Sequence, residues 1–148
     1  LSRSERLTAA AHPLLAHDGD VQAWRLYGAL FFGATKLVEA LEDHLPPRVL
    51  VLDLKNVIYV DSTGAEALES LVHACRKQGV RLIVSGLMNQ PRDIAERTGL
   101  LAQFTARSAD DVQPDVARAI AEAVSPRPAY PDRPDPAPLP SGSPGSPG

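Results

Sequence analysis

The chain has 148 residues, a formal net charge of −3 with acidic and basic residues interspersed, and a single cysteine. That length suffices for one domain, and the lone Cys75 excludes an internal disulfide. No basic stripe or stacking platform points to nucleic acid. No apolar run approaches the roughly 18 residues of a membrane span, and the N-terminus lacks the continuous apolar stretch of a signal peptide.

Residues 1–20 are weakly patterned, with a turn signal at His17-Asp18-Gly19-Asp20 and a short edge strand expected around Leu14, and residues 1–13 read as a flexible segment or linker. Residues 21–30 alternate and are rich in β-branched and aromatic side chains, which predicts a strand. Trp24, Tyr27, Phe31 and Phe32 are expected in the core. Ala34, Leu37, Val38, Leu41 and Leu45 recur at helical spacing until Pro46-Pro47 ends the helix. Residues 48–54 are nearly all apolar and β-branched, which predicts a strand covered on both faces, and residues 56–60 extend or follow it.

A helix then starts at Asp61-Ser62-Thr63-Gly64, buries Ala65, Leu68, Leu71, Val72 and Cys75, and stops at Gly79. Residues 80–85 predict a second buried strand. Pro91 opens another helix that runs to Gly99 with Ile94 and Ala95 inward. Residues 100–104 read as a short last strand. Asp111 and Pro114 open a final helix with Val112, Val116, Ala119, Ile120 and Ala123 on one side. Nine of the fourteen prolines follow Ser125, so residues 125–148 are read as a disordered, Pro-rich tail with polyproline II character. Alternation of strands and helices implies an α/β domain over residues 14–124, with a mostly parallel sheet.

The polar turn at residues 61–64 concentrates the chemistry. Thr63 and Glu66 have capping-box spacing, and Asp61 or Ser62 could cap the helix instead. A cap requires no function. The functional reading makes Asp61, Ser62, Thr63 and Gly64 a regulatory loop with a phospho-acceptor hydroxyl. A phosphate at a helix start meets unpaired N–H groups and the positive end of the helix dipole. It adds about −1.5 to −2 charge beside Asp61.

Catalytic readings are poor. Ser62 lacks a G-x-S-x-G elbow, and none of His12, His17, His44 and His73 pairs with it by position. No His or Cys pair has metal-ligand spacing, and no phosphate-binding or dinucleotide-binding glycine motif occurs. The expectation is a protein that is not an enzyme, with no metal and no assignable cofactor. Cys75 reads as a small buried hydrophobe.

The stretch VLVLDLKNVIYVDSTGAEAL, with KQGVRLIVSG and RDIAERTGL after it, resembles the STAS domain, shared by anti-sigma factor antagonists and the cytoplasmic C-terminal part of SulP anion transporters. The likeness covers roughly residues 14–124. It implies a mixed, mostly parallel sheet of four or five strands with about four helices largely on one face. Residues 21–33, VQAWRLYGALFFG, resemble the SulP pattern V-x-V-Y-R-L-x-G-x-L-F-F, whereas the antagonists tend to carry G-E-L-D there.

The resemblance therefore implies a non-catalytic regulatory and interaction domain of a bacterial SulP-type transporter of sulfate, bicarbonate or a related anion. It would lie on the cytoplasmic side of the inner membrane and be soluble when isolated. The implied partners are an upstream transmembrane domain of the same protein, a second STAS domain or a cytoplasmic protein. The opening Leu1, in place of Met, fits a segment cut from such a chain. By the same resemblance, Ser62 matches the position that antagonists phosphorylate. The alternative is a stand-alone anti-sigma factor antagonist that switches partners by phosphorylation. Nucleotide binding, linked to some STAS domains, cannot be assigned to residues here.

Overall fold

The computed structural model describes residues 2–16, 19–31 and 33–125. Its elements run β1 (Arg3–Leu7), β2 (Val21–Leu30), α1 (Ala34–Asp43), β3 (Val49–Val60), α2 (Ser62–Gln78), β4 (Arg81–Ser85), α3 (Asn89–Thr98), α4 (Leu100–Phe104), β5 (Val112–Gln113) and α5 (Val116–Val124). The five strands form one sheet in sequence order. β1 pairs antiparallel with β2, and every other pairing is parallel. This is the expected mixed α/β architecture.

Alternation along the strands feeds two cores. Leu26, Leu30, Leu50, Leu52 and Leu54 face α1, α2, α3 and α4. Val21, Ala23, Val49, Val51 and Ile83 face α5 through Ala119, Ile120 and Ala123. β3 lies between both layers, which is why its first six residues are all buried. Four helices on one face and one on the other match the expected distribution.

A polar row crosses this apolar sheet. Asp53 is fully buried, and Arg25 Nε donates to its Oδ2 at 2.8 Å while Ser85 Oγ and the Lys55 N–H donate to Oδ1 at 3.0 and 3.2 Å. Arg25, Asp53 and Ser85 are register partners on β2, β3 and β4. A carboxylate this deep is tolerated only with such saturation. The hydrogen bond to Asp53 raises the Arg25 pKa above its ordinary value. Directly beyond this row the β2–β3 register shifts, between Arg25 and Tyr27.

Four expectations need correction. The first strand is not near Leu14, which sits in a 3-10 turn at Pro13–Ala16. It is Arg3–Leu7, inside the segment read as a linker, where only Leu7 is buried and the polar alternation hid the strand. Residues 100–104 form helix α4, not a strand: Gly99 adopts φ 83°, and Leu100 and Phe104 bury together one turn apart. The last strand is Val112–Gln113, so Val112 precedes the final helix instead of sharing its face. Phe31 is exposed, while Trp24 and Tyr27 are partly buried. Phe32, His17, Asp18 and the Pro-rich tail from residue 126 lie outside the described residues.

Cys75 is buried in the larger core, and burial, reinforced by Glu42, pushes its thiol pKa up to about 12. The folded state therefore keeps the thiol protonated where the unfolded chain ionises it, from about pH 8.5. Below that pH this contribution to stability is fully present. Between there and about pH 12 the unfolded state holds fewer protons, so stability falls. Denaturant titrations at pH 7 and pH 10 are expected to show a smaller alkaline loss in Cys75→Ala than in the wild type. An equal loss would mean the thiol is not protected.

Candidate functional site

β3 delivers the chain from the core to the polar turn. Its last residue, Val60, is buried, whereas Ile58 and Tyr59 just before it are exposed. Helix α2 begins at Ser62 with Asp61 as N-cap in extended conformation (φ −93°, ψ −177°). The Asp61 carboxylate accepts the Gly64 N–H at 2.8 Å, and its carbonyl accepts the Ala65 N–H at 2.9 Å. Thr63 and Glu66 therefore do not form the capping box, because Thr63 already lies inside the first turn.

The first turn is pressed against the end of β2. The Asp61 N–H donates to the Leu30 carbonyl at 3.2 Å. Gly64 is buried so closely that a Cβ there would sit 2.2 Å from the Leu30 oxygen. Only hydrogen fits at that point. This close approach fixes the rotation of α2, so that Ser62 is exposed and Thr63 half-buried. Among the described residues neither hydroxyl makes a hydrogen bond.

Gln90, on α3, has no counterpart in the sequence reading. Its side-chain amide pairs with both backbone groups of Val60: Val60 N–H donates to Oε1 and Nε2 donates to the Val60 carbonyl, each at 2.8 Å. The amide thus replaces a neighbouring strand at the end of β3, beyond the last β4 pairing at Asp53. Asn89, the residue before Gln90, takes the left-handed φ of 58°. A long-range side chain to backbone pair leaves no local periodicity, so the only sequence signal was a polar residue in a helix's first turn.

Four large apolar side chains are exposed where β2 and β3 end and just before α3. Ile58 is 73% exposed, and Phe31, Tyr59 and Met88 are each above 40%. The Phe31 and Tyr59 rings contact one another at 5.6 Å between centroids, tilted by 59°. Isolated exposed apolar residues are unremarkable, whereas several at one end of a sheet are less common.

No reactive constellation accompanies it. Among the described residues no His, Asp or Glu side chain hydrogen-bonds to Ser62 or Thr63, and no cluster of three or more His, Cys, Asp or Glu is placed to hold a metal. No helix among them is long and apolar enough to cross a membrane. The structure brings Asp61, Ser62, Thr63 and Gly64 together at a helix start, with the carboxylate as the cap, one hydroxyl in solvent and the glycine as a steric requirement.

The fold and this turn define a class. Residues 12–121 match the STAS domain family model, and the chain belongs to that family. It is 31% identical over 94 residues to the putative sulfate transporter YvdB of Bacillus subtilis (strain 168), a match over 60% of this chain and 18% of that protein. The chain thus spans about a fifth of the length of this curated relative. The crystal structure of a sulfate transporter family protein from Wolinella succinogenes superposes with a TM-score of 0.62 at 25% identity, over 70% of this chain and 84% of that one. An anti-sigma factor antagonist from Mycobacterium paratuberculosis shares the fold, with a TM-score of 0.61 at 20% identity over 83% of this chain and 94% of that one.

The geometry separates structural from available residues. Gly64→Ala is expected to lose on the order of 3 kcal/mol by forcing α2 off β2. Leu71→Ala, fully buried, is expected to lose about 2–5 kcal/mol. Ser62→Ala is expected to stay within about 0.5 kcal/mol of the wild type, as an exposed substitution without a bond to lose. Urea denaturation of the three variants checks the order, and a larger loss at Ser62 than at Leu71 would refute this assignment.

Proposed function

We propose that this chain is a non-catalytic regulatory and interaction domain of a bacterial SulP-type anion transporter, carried on the cytoplasmic side of the membrane behind an upstream transmembrane part. The supporting observation is the exposure of Phe31, Ile58, Tyr59 and Met88 at the end of the sheet where α2 begins with an exposed Ser62, which among the described residues has no His, Asp or Glu hydrogen-bonded to it. The likeness to YvdB and to the Wolinella succinogenes protein supports the transporter setting. The anion would be sulfate or a bicarbonate-like ion, moved by the membrane part.

Ser62 is the proposed switch. Its hydroxyl is exposed, unbonded and beside the Asp61 carboxylate. A phosphate there would bring about −1.5 to −2 charge onto the edge of an apolar contact. Desolvating that charge in an interface is unfavourable, so phosphorylation would release the partner. The same geometry favours a second reading, a stand-alone anti-sigma factor antagonist in which phosphorylated Ser62 releases an anti-sigma factor.

Sulfate uptake by the complete parent protein tests the first reading. Ile58→Asp and Ser62→Asp are expected to lower uptake several-fold while the melting temperature of the isolated domain moves little. Unchanged uptake in both would refute it. A coding region that starts with Met close to Leu1, without upstream apolar segments of about 20 residues, would transfer the proposal to the antagonist reading. Ser62→Asp should then abolish binding to an anti-sigma factor.

A further inference from the structure

β1 is one edge of the sheet. Among the described residues Arg3–Leu7 pairs with β2 alone, so the strand's outer row of backbone N–H and C=O groups has no strand beside it. The opposite edge, β5, is only two residues long. An open edge is a template for another strand, and charged side chains ordinarily guard it. In β1, Arg3, Glu5 and Arg6 are all exposed.

Arg3 and Glu5 lie on one face of the strand, because side chains two residues apart point the same way. Tyr27 on β2 orders both. The Arg3 guanidinium lies over its ring, 3.8 Å from the centroid, and the Tyr27 hydroxyl donates to Glu5 Oε1 at 2.6 Å. Stacking on a ring leaves the N–H donors of a guanidinium unused, and those of Arg3 make no hydrogen bond among the described residues. The second carboxylate oxygen of Glu5 is likewise unbonded there. The edge thus presents an ordered cation with open donors and an ordered anion with an open acceptor.

Register decides what such an edge can pair with. Two copies joined antiparallel about a two-fold axis set one residue opposite itself. Centred on Arg3, Glu5 or Arg6, that pairing opposes like charges, which is destabilising. Centred on Ser4, it opposes the two serines and sets Arg3 of each copy directly across from Glu5 of the other. Directly opposed residues have their Cβ atoms about 4.5–5.5 Å apart, and opposite charges there attract. The open donors of Arg3 then meet the open oxygen of Glu5 twice.

We infer that β1 is a self-complementary docking edge, to which a second copy of this chain adds its own β1 antiparallel in the register centred on Ser4, with an Arg3–Glu5 ion pair on either side of the axis. A single short strand pair is far smaller than the roughly 1,600 Å² of a standard interface, so the dimer is weak. Its exposed ion pairs make it weaker still in salt. The inference concerns β1 alone and does not rest on the transporter reading.

Sedimentation velocity of this chain over about a hundredfold range of concentration is expected to show a monomer–dimer equilibrium that moves toward monomer as sodium chloride is raised. Arg3→Glu and Glu5→Arg each oppose like charges twice, and each alone is expected to weaken dimerisation by at least about tenfold in Kd. Mixed in equal amounts, the two variants should dimerise with one another as the wild type does with itself. Loss of folding cannot produce that rescue. A wild type that stays monomeric throughout, variants that dimerise undiminished, or variants that are folded by circular dichroism yet stay monomeric when mixed overturn the proposal. Ser4→Cys keeps both charges and should form a disulfide-linked dimer on mild oxidation faster than Arg6→Cys. Equal rates would likewise overturn it.

Discussion

The seam between the first turn of α2 and the end of β2 governs the functional end of this molecule. A glycine without a side chain lies against the Leu30 carbonyl, and the Asp61 N–H donates to the same oxygen. Helix α2 has therefore one rotation about its axis that packs on the sheet. That rotation buries Ala65, Leu68, Leu71, Val72 and Cys75 and turns Ser62 outward. The apolar face of a 17-residue helix and the position of one hydroxyl are thus set by a single close contact.

The division of labour within the turn follows from its hydrogen bonds. A good cap is worth about 1 kcal/mol, and here the Asp61 side chain supplies it through Gly64. Ser62 carries none of that duty. Its hydroxyl is exposed and makes no hydrogen bond among the described residues. Gln90 fixes the other side of the corner by bonding both backbone groups of Val60.

Much of this was legible in the sequence, for identifiable reasons. β3 and β4 were apolar runs bounded by turn residues, and α2 combined a 3.6-residue stripe with a polar start and Gly79 at φ 73°. Those signals are local. What failed also had identifiable causes. β1 buries only Leu7, so its pattern resembled a linker. The apolar run of α4 was too short to carry a period, and its helical state depends on the turn at Gly99 and on packing against α2. Gln90, the Asp53 network and the Leu30–Gly64 contact join residues about 30 apart in sequence. No window of a dozen residues contains them. The choice of Asp61 over Thr63 as the cap depended on where the helix actually begins, which spacing left open.

The exposure of Ile58 and Tyr59 marks the boundary between the two regimes. Through Leu54 the strand is held from both faces by helices. Beyond it α5 no longer covers the sheet, so side chains of the same apolar composition become surface. Composition alone cannot distinguish a strand that continues into the core from one that emerges at a contact site.

Hydrogen–deuterium exchange, compared between this isolated chain and the same residues within the longer transporter chain proposed above, tests the proposed contact surface directly. A partner seated on the corner predicts slower exchange of residues 57–64 and 86–90 in the parent, with α5 unchanged. Unchanged exchange at that corner, with slowing confined to α5 or β1, would contradict it.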